Sequence, residues 1–154
     1  MRDVFITQSA EETQKIGENI VKSLKKTTVV ALYGDLGSGK TTFVQGLAKG
    51  LGIKEKITSP TFNIIRQYKL KAKSSKGKSE TKKLKALYHI DLYRIESTDL
   101  KNLGIEEILN NKESLVVIEW AEKMKEFLPK EKIDIYFEYS DENKRKIIII
   151  NEVI

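Results

Sequence analysis

Residues 34–41 read Gly-Asp-Leu-Gly-Ser-Gly-Lys-Thr, a full match to the Gly-x-x-x-x-Gly-Lys-[Ser/Thr] pattern of loops that bind nucleotide phosphates. An apolar, β-rich run of strand length, Thr28 to Leu32, precedes this loop. Apolar residues at helical spacing follow it, from Thr41 to Leu51. Strand, glycine loop and helix in this order are the context that the motif requires. The sequence therefore predicts a phosphate-binding loop within an α/β fold.

Each position of this loop has a mechanical role. Gly34, Gly37 and Gly39 carry no Cβ, so the backbone can turn tightly and point its N–H groups inward. The helix that begins near Gly39 adds its positive N-terminal end at the same place. Lys40 is placed to reach the β- and γ-phosphates of a nucleotide, and the Thr41 hydroxyl is placed to bind Mg²⁺. The candidate nucleotide contacts in the loop are Asp35, Leu36, Gly37, Ser38, Gly39, Lys40, Thr41 and Thr42.

Composition indicates a soluble globular chain. With 154 residues, 40% hydrophobic and 32% charged, the sequence predicts one domain over 1–154 with an apolar core. No apolar run approaches the roughly 18 residues of a membrane span, and the start of the chain lacks the pattern of a signal peptide. A cytoplasmic protein is therefore expected. The absence of cysteine excludes disulfides, thiolate metal sites and cysteine nucleophiles.

The net charge of +6 comes from one stretch of the chain. Residues 69–85 contain eight lysines and one acid, and the 20 basic and 21 acidic residues outside them nearly cancel. Because it is poor in apolar residues, this stretch is predicted to be a mobile excursion. Two interpretations fit it: an electrostatic arm for RNA, or a solvated loop tip. No aromatic residue or arginine stands between the lysines to stack on bases, which favours the loop tip.

Periodicity and turn residues predict further elements on both sides of the loop. Ser9 and Glu12 form a capping box that opens a helix with Ile16 and Ile20 on one face. The other predicted elements are strands at 62–68, 86–92, 115–118, 133–139 and 146–150, and helices at 97–109 and 121–128. The predicted fold is α/β: a three-layer sandwich like that of P-loop NTPases, with a mainly parallel central sheet, antiparallel additions and a C-terminal hairpin.

Two acidic residues directly follow predicted strands. Leu115 to Ile118 is a fully apolar run, typical of a central strand, and Glu119 comes next. Asp91 follows residues 88–90 in the same way. Because the carboxyl ends of parallel strands meet at one edge of a sheet, both acids are candidates for the site. We assign Glu119 to Mg²⁺ and Asp91 to positioning the attacking water or supporting the metal ligands, although the sequence alone permits the reverse.

Three further features near these positions have two interpretations each. Ser59-Pro60-Thr61 is either a hydroxyl sensor of the γ-phosphate or an ordinary turn that begins a strand. Trp120 either covers the site or packs in the core. His89 is the one histidine, and it is interpreted as a core or surface imidazole rather than a catalytic one. With one histidine and no cysteine, a zinc site is not expected.

Four motifs follow one another along the chain: residues 33–42 around the loop, Ser59-Pro60-Thr61, His-Ile-Asp-Leu-Tyr-Arg at 89–94, and Ile-Glu-Trp at 118–120. In this order the chain resembles the TsaE family (older name YjeE), the bacterial ATPase of tRNA threonylcarbamoyladenosine synthesis, from about residue 7 to residue 125. The resemblance implies a P-loop fold, binding of ATP or ADP with Mg²⁺, and ATP hydrolysis. It also implies partners of the TsaB and TsaD type, with tRNA met only through that complex and no membrane involved.

The resemblance also implies roles for single residues. The implied site comprises Lys40, Asp91 and Glu119 as catalytic residues, Thr41 and Glu119 as metal ligands, Ser59 and Thr61 as contacts from a switch-like loop, and Gln8 and Ala10 as contacts near the nucleotide base. Hydrolysis is implied to reset the TsaB–TsaD transferase between turnovers. The stretch at 69–85 departs from the family pattern, because it is longer and more basic than usual.

Three other functions are compatible with parts of this sequence. A GTPase normally carries Asn-Lys-x-Asp, and the nearest string here, residues 111–114, lacks the acid that pairs with guanine. A small-molecule kinase with a P-loop needs an arginine-bearing lid, and none of the four arginines shares a segment with another. An RNA-binding module that uses the Lys-rich segment would show steeply salt-dependent affinity. The ATPase interpretation accounts for more of the motifs than any of these.

Overall fold

The computed structural model describes residues 1–24, 27–60, 64–71 and 84–152. The strands are β1 (Arg2–Thr7), β2 (Val29–Tyr33), β3 (Ile65–Lys69), β4 (Ala86–Asp91), β5 (Ser114–Glu119), β6 (Ile133–Asp141) and β7 (Lys144–Asn151). The α-helices are α1 (Ala10–Ile20), α2 (Lys40–Gly50) and α3 (Ile105–Asn110), with 3₁₀ segments at Val21–Ser23, Ser97–Leu103 and Ala121–Phe127. Residues 72–83, most of the predicted excursion, lie outside the described residues.

The strands form one sheet in the order β1-β7-β6-β2-β5-β4-β3. The central strands β6, β2, β5 and β4 run parallel, whereas β1, β7 and β3 are antiparallel to their neighbours. This arrangement confirms the predicted α/β fold with antiparallel additions, among them the β3–β4 pair, and with a C-terminal hairpin of β6 and β7. In the register of the sheet, Glu119 stands beside Leu32 and beside Asp91. The ends of β2, β4 and β5 therefore share one edge, where β2 leads into the glycine loop.

Helical segments cover the two faces of the sheet. On one face, α1 and α2 pack on β2 and β5, with Phe43, Leu47 and Val117 fully buried among them. Each such large side chain contributes about 1.5–3 kcal/mol through burial of its apolar surface. On the other face, α3 and the later 3₁₀ segments cover Ile90 and Ile118. This packing fixes α2, and with it the glycine loop, over the edge of the parallel strands.

The N-terminal region confirms one prediction and corrects another. Ser9 caps α1, and its Oγ accepts a hydrogen bond from the Glu12 N–H at 3.1 Å, as the capping box predicts. The sequence predicted no element before this helix, and that was wrong: Arg2–Thr7 forms strand β1. Five of its six residues are exposed, so the strand has no alternating apolar pattern. Only pairing with β7, at the opposite end of the chain, makes it a strand.

Two predicted helices are shorter and tighter than their apolar spacing suggested. The predicted helix at 97–109 is interrupted at Gly104 (φ 69°), with a 3₁₀ segment before it and α3 after it. A glycine adopts this left-handed backbone easily, so the chain turns there instead of continuing as one helix. The predicted helix at 121–128 is a 3₁₀ segment with non-helical geometry at Met124. Within the described ranges, no helix combines the length and apolar character that a membrane span requires.

Candidate nucleotide-binding site

A cavity of about 460 Å³ lies at the edge where the parallel strands end. This volume is within the range of about 300–1,000 Å³ that is typical of small-molecule sites. Four parts of the chain line it: the glycine loop with the start of α2, residues 59, 60 and 64 before β3, the end of β4 with the turn after it, and the end of β5 with the residue that follows. The lining residues are Leu36, Gly37, Gly39, Lys40, Thr41, Thr42, Ser59, Pro60, Ile64, Asp91, Tyr93, Arg94, Glu119 and Trp120.

The glycine loop is held in a shape that only glycine allows at two positions. Gly37 (φ 76°) and Gly39 (φ 110°) both have left-handed backbone. A Cβ on Gly37 would lie 2.8 Å from the Tyr139 hydroxyl oxygen. That hydroxyl, on β6, donates to the carbonyl oxygen of Leu36 at 3.1 Å. The loop is thus tied to the C-terminal hairpin, while Gly39 caps the 11-residue helix α2 whose N-terminus borders the cavity.

Lys40 places a buried cation in this loop. The residue is 4% exposed, and its Nζ donates to the carbonyl oxygens of Gly34 and Asp35, the latter at 2.9 Å. Nζ also lies 4.2 Å from the centroid of the Trp120 ring. Burial lowers the pKa of the Lys40 ammonium, and the Glu119 carboxylate is the largest of the charges that oppose this shift. The Lys40 ammonium, which backbone carbonyls hold, and the Glu119 carboxylate therefore line the same cavity.

The Glu119 carboxylate is held from two sides. The Thr41 hydroxyl donates to Glu119 Oε1 at 2.9 Å and lies 3.2 Å from Oε2. Behind it, His89 Nε2 lies 2.5 Å from Glu119 Oε2. Glu119 is 2% exposed and His89 is completely buried. Residues 41 and 119, which are 78 positions apart in the sequence, thus bring a hydroxyl and a carboxylate to one point.

Asp91 lies in the same cavity but has different partners. Ser59 Oγ donates to Asp91 Oδ2 at 2.6 Å, and the Tyr93 backbone N–H donates to Asp91 Oδ1 at 3.0 Å. Asp91 is half-buried. Lys123 Nζ donates to the Tyr93 carbonyl oxygen at 2.6 Å, which ties the turn after β4 to the segment after β5. Asp91 is therefore held between two loops.

The donors in the cavity fit a hard divalent cation. Mg²⁺ binds hard oxygen donors, usually through one or two protein groups, phosphate oxygens and waters. The Thr41 hydroxyl and the Glu119 carboxylate form such a pair. The described residues contain no group of three or more His, Cys, Asp or Glu side chains that could hold a metal by themselves. The donor set thus suits Mg²⁺ and does not suit zinc, which prefers nitrogen and sulfur ligands.

The structure brings most of the predicted site residues together, and it places a few elsewhere. The predicted residues that line the cavity are Leu36, Gly37, Gly39, Lys40, Thr41, Thr42, Ser59, Asp91 and Glu119. Asp35 contributes its carbonyl oxygen to Lys40, and Ser38 is buried within the loop. Thr61 lies outside the described residues.

Gln8 and Ala10 are at the start of α1 and are not among the lining residues of the cavity. The Gln8 backbone N–H donates to the Glu12 carboxylate at 2.6 Å. The first turn of α1 still approaches the loop, because a Cβ on Gly39 would lie 3.8 Å from Thr13 Cγ2. The approach to the loop is made by Thr13, and neither Gln8 nor Ala10 lines the cavity.

Sequence reasoning missed three contacts in this site. They are the contact of His89 with Glu119, the hydrogen bond of Tyr139 to Leu36, and the contact of Trp120 with Lys40. Only the first of these had a usable signal in the sequence. His89 and Asp91 are two residues apart, so they share one face of a strand, and a fully buried polar residue on that face needs a partner. No pattern foretells the hydrogen bond of Tyr139 to the loop. For Trp120, covering the site was one of the two interpretations of the sequence, and the residue does line the cavity. Its left-handed backbone (φ 60°) and the contact of its ring with Lys40 had no signal in the sequence.

The fold and the loop define the class of this protein. A strand, a glycine loop and a helix stand at the carboxyl edge of a mainly parallel sheet, with an acid at the end of the neighbouring strand. This is the arrangement of nucleotide-binding proteins with a P-loop. A sequence model of the family described as "Threonylcarbamoyl adenosine biosynthesis protein TsaE" matches residues 7–147. The chain belongs to the TsaE family, which takes part in the biosynthesis of threonylcarbamoyladenosine in tRNA.

Individual relatives agree with the family match. The tRNA threonylcarbamoyladenosine biosynthesis protein TsaE of Rickettsia felis is 38% identical over 149 residues, which are 96% of this chain and 79% of that protein. Its counterpart from Aquifex aeolicus is 39% identical over 94% of this chain and 92% of that protein. The crystal structure of Bacillus subtilis YdiB matches with a TM-score of 0.74 at 31% identity, covering 98% of this chain and 86% of that one.

Proposed function

We propose that this chain binds ATP with Mg²⁺ and hydrolyses it, and that residues 1–154 act as one ATPase domain in the cytoplasm. One observation carries the proposal: the Thr41 hydroxyl meets the Glu119 carboxylate at 2.9 Å, in the cavity that the glycine loop and Lys40 also line. In P-loop NTPases, the loop Ser or Thr and an acid after a neighbouring strand hold Mg²⁺. An ordinary strand-to-helix turn has no need of this pair.

Binding uses groups that are already in place. The backbone N–H groups of the loop and the N-terminus of α2 receive the phosphates. Lys40 exchanges its contacts with the Gly34 and Asp35 carbonyls for contacts with phosphate oxygens. The ammonium then pairs with negatively charged oxygens instead of neutral ones, and such hydrogen bonds are stronger. Thr41 and Glu119 hold Mg²⁺, which when bound neutralises charge on the phosphates. The buried position of Lys40 strengthens its attraction to anions, because few waters screen it.

Hydrolysis requires a group that orients the attacking water. Asp91 is the remaining acid in the cavity, and its two oxygens are already oriented by Ser59 and the Tyr93 N–H. We assign it the role of accepting a hydrogen bond from that water. The reaction needs no covalent intermediate on the protein.

The rim of the cavity supports a reaction that depends on partner proteins. Leu36 is 66% exposed and Tyr93 is 46% exposed, so two large apolar side chains flank the opening. Exposed apolar groups beside a site are typical of surfaces that another protein covers. We assign this cover to partners of the TsaB and TsaD type, whose transferase the hydrolysis resets between turnovers. Contact with tRNA is then indirect, and the ATPase is weak without the partners.

The first test removes the loop cation. Lys40→Ala should abolish binding of ATP and ADP in titration calorimetry, because the phosphates lose their only buried ammonium in the described part of the site. Lys49→Ala, at an exposed position of the same helix, is the matched control and should bind normally. Unchanged nucleotide binding by Lys40→Ala would contradict the proposal.

The second test addresses the partners. Purified TsaB- and TsaD-type proteins and tRNA are incubated with and without this chain, and modified adenosine is measured in single and repeated turnover. We expect a single turnover without the chain and repeated turnovers with it. Repeated turnover in its absence, or with Lys40→Ala in its place, would show that hydrolysis by this chain does not reset the transferase.

A further inference from the structure

A histidine is buried directly behind the proposed metal ligand. The side chains of Leu87, His89 and Asp91 share one face of β4, and those of Val117 and Glu119 share the same face of β5. This face lies under α2, in the larger of the two apolar cores. A completely buried imidazole is out of place there unless it has a polar partner. Among the described residues, its side chain meets the Glu119 carboxylate, with Nε2 2.5 Å from Oε2.

We propose that His89 is a positioning residue for the magnesium site: its Nε2–H donates to Glu119 Oε2 and fixes the carboxylate opposite Thr41. The inference rests on the proposed binding of Mg²⁺ and ATP. Glu119 has three rotatable side-chain bonds, and the Thr41 hydroxyl must share its own oxygen with the cation. The buried contact with His89 would therefore keep the Glu119 carboxylate oriented when the Thr41 hydroxyl binds a metal.

The surroundings of the imidazole indicate which nitrogen carries the proton. His89 Nδ1 is buried and has no hydrogen-bond partner in the described part of the chain. Nε2 faces a carboxylate oxygen that can accept a hydrogen bond, whereas Nδ1 faces no acceptor among the described residues. A ring proton on Nε2 therefore finds a partner, and Nε2–H donates to Glu119 Oε2.

The test compares two substitutions of similar length that differ in one property. His89→Gln keeps an N–H donor near the position of Nε2, whereas His89→Met fills similar space without a donor. The probe is AMP-PNP, a non-hydrolysable ATP analogue, whose affinity is measured by calorimetry with Mg²⁺ and with EDTA. Removal of a group that orients a metal ligand typically weakens metal binding by about 10–100-fold. The quantity compared is the ratio of the affinity with Mg²⁺ to the affinity with EDTA. We expect His89→Met to lower this ratio by about tenfold, and His89→Gln to keep most of it.

A merely structural role would give a different result. In that case His89→Met would lower the melting temperature but leave the ratio of the two affinities unchanged, and the inference would be overturned. If His89→Met does not fold, His89→Asn replaces it, since its shorter amide matches the position of Nδ1 and leaves Nε2 unreplaced.

Two failures can be told apart. If the unaltered protein binds AMP-PNP without any dependence on Mg²⁺, the proposed function fails and this inference fails with it. If the unaltered protein shows the dependence, and His89→Met shows it to the same degree, only the role of His89 is refuted.

Discussion

The two acids of the site stand side by side at the ends of neighbouring parallel strands, yet their surroundings differ. Glu119 is 2% exposed, and both residues that contact its carboxylate belong to regular secondary structure. Thr41 lies in the first turn of α2, and His89 lies within β4. Both partners of the Glu119 carboxylate therefore have fixed backbone positions. Such rigidity is what a metal ligand requires, because Mg²⁺ accepts little deviation from octahedral geometry.

Asp91 is half-buried, and its partners belong to irregular chain. Ser59 precedes the segment that leads to β3, and Tyr93 is in the exposed turn after β4. A carboxylate that two loops hold can be reoriented when either loop moves. The comparison therefore supports the proposed division of roles, in which Glu119 holds the metal and Asp91 orients the water and responds to loop movement.

The largest effect is expected from the rigid acid. Glu119→Gln removes the charge that the cation requires, and we expect turnover to fall by about 10³-fold. The Mg²⁺-dependent part of nucleotide affinity should be lost, while affinity in EDTA stays the same. Phosphate release and calorimetry measure the two quantities. Glu126→Gln, at an exposed position beyond β5, serves as the control and should behave like the unaltered protein.

Asp91→Asn should separate the two roles. We expect turnover to fall by about 100-fold, because the amide no longer accepts the water's hydrogen bond in the same way. Affinity for magnesium nucleotide should change by less than about threefold, since the contact of Thr41 with Glu119 is untouched. If this variant instead loses the Mg²⁺ dependence of binding, the two acids have the opposite roles.

The Ser59→Ala substitution releases Asp91 from one loop without touching Glu119. The carboxylate loses the hydrogen bond of 2.6 Å that orients Oδ2, and we expect turnover to fall by about tenfold. Thr58→Ala, one residue earlier and exposed, is the matched control. Equal activity of both variants in a phosphate-release assay would mean that the loop does not orient Asp91.

The smallest effect is expected from a residue that touches neither acid. Tyr139→Phe removes the hydrogen bond to the Leu36 carbonyl and loosens the glycine loop. Because Tyr139 is 51% exposed, the loss should be only about twofold to threefold in nucleotide affinity, with the Mg²⁺ dependence unchanged. Tyr136→Phe, which keeps the ring that stacks on Tyr33 and leaves the Tyr139 hydroxyl in place, is the control. A change in Mg²⁺ dependence would mean that the hairpin also acts on the acids.

The elements that could be predicted from the sequence are those whose pattern is local. Strand β5 is a continuous apolar run, and Ser9 with Glu12 marks the start of α1; both occur where predicted. Strand β1 could not be predicted, because its residues are mostly exposed and its partner β7 lies at the other end of the chain. Gly104 was visible in the sequence, but its left-handed backbone (φ 69°), which separates two helical segments, was not.

By itself, the sequence determined the phosphate-binding loop, the parallel strands around it and the presence of an acid at two strand ends. These features depend on residue types at short spacings, and such local patterns can be read from the sequence without knowledge of the fold. The tertiary structure alone decided which side chains touch each acid, because those side-chain contacts join residues 30 to 78 positions apart. The order and register of the strands and the position of α2 bring Thr41 and His89 into contact with Glu119. Asp91 instead contacts residues of the two neighbouring loops.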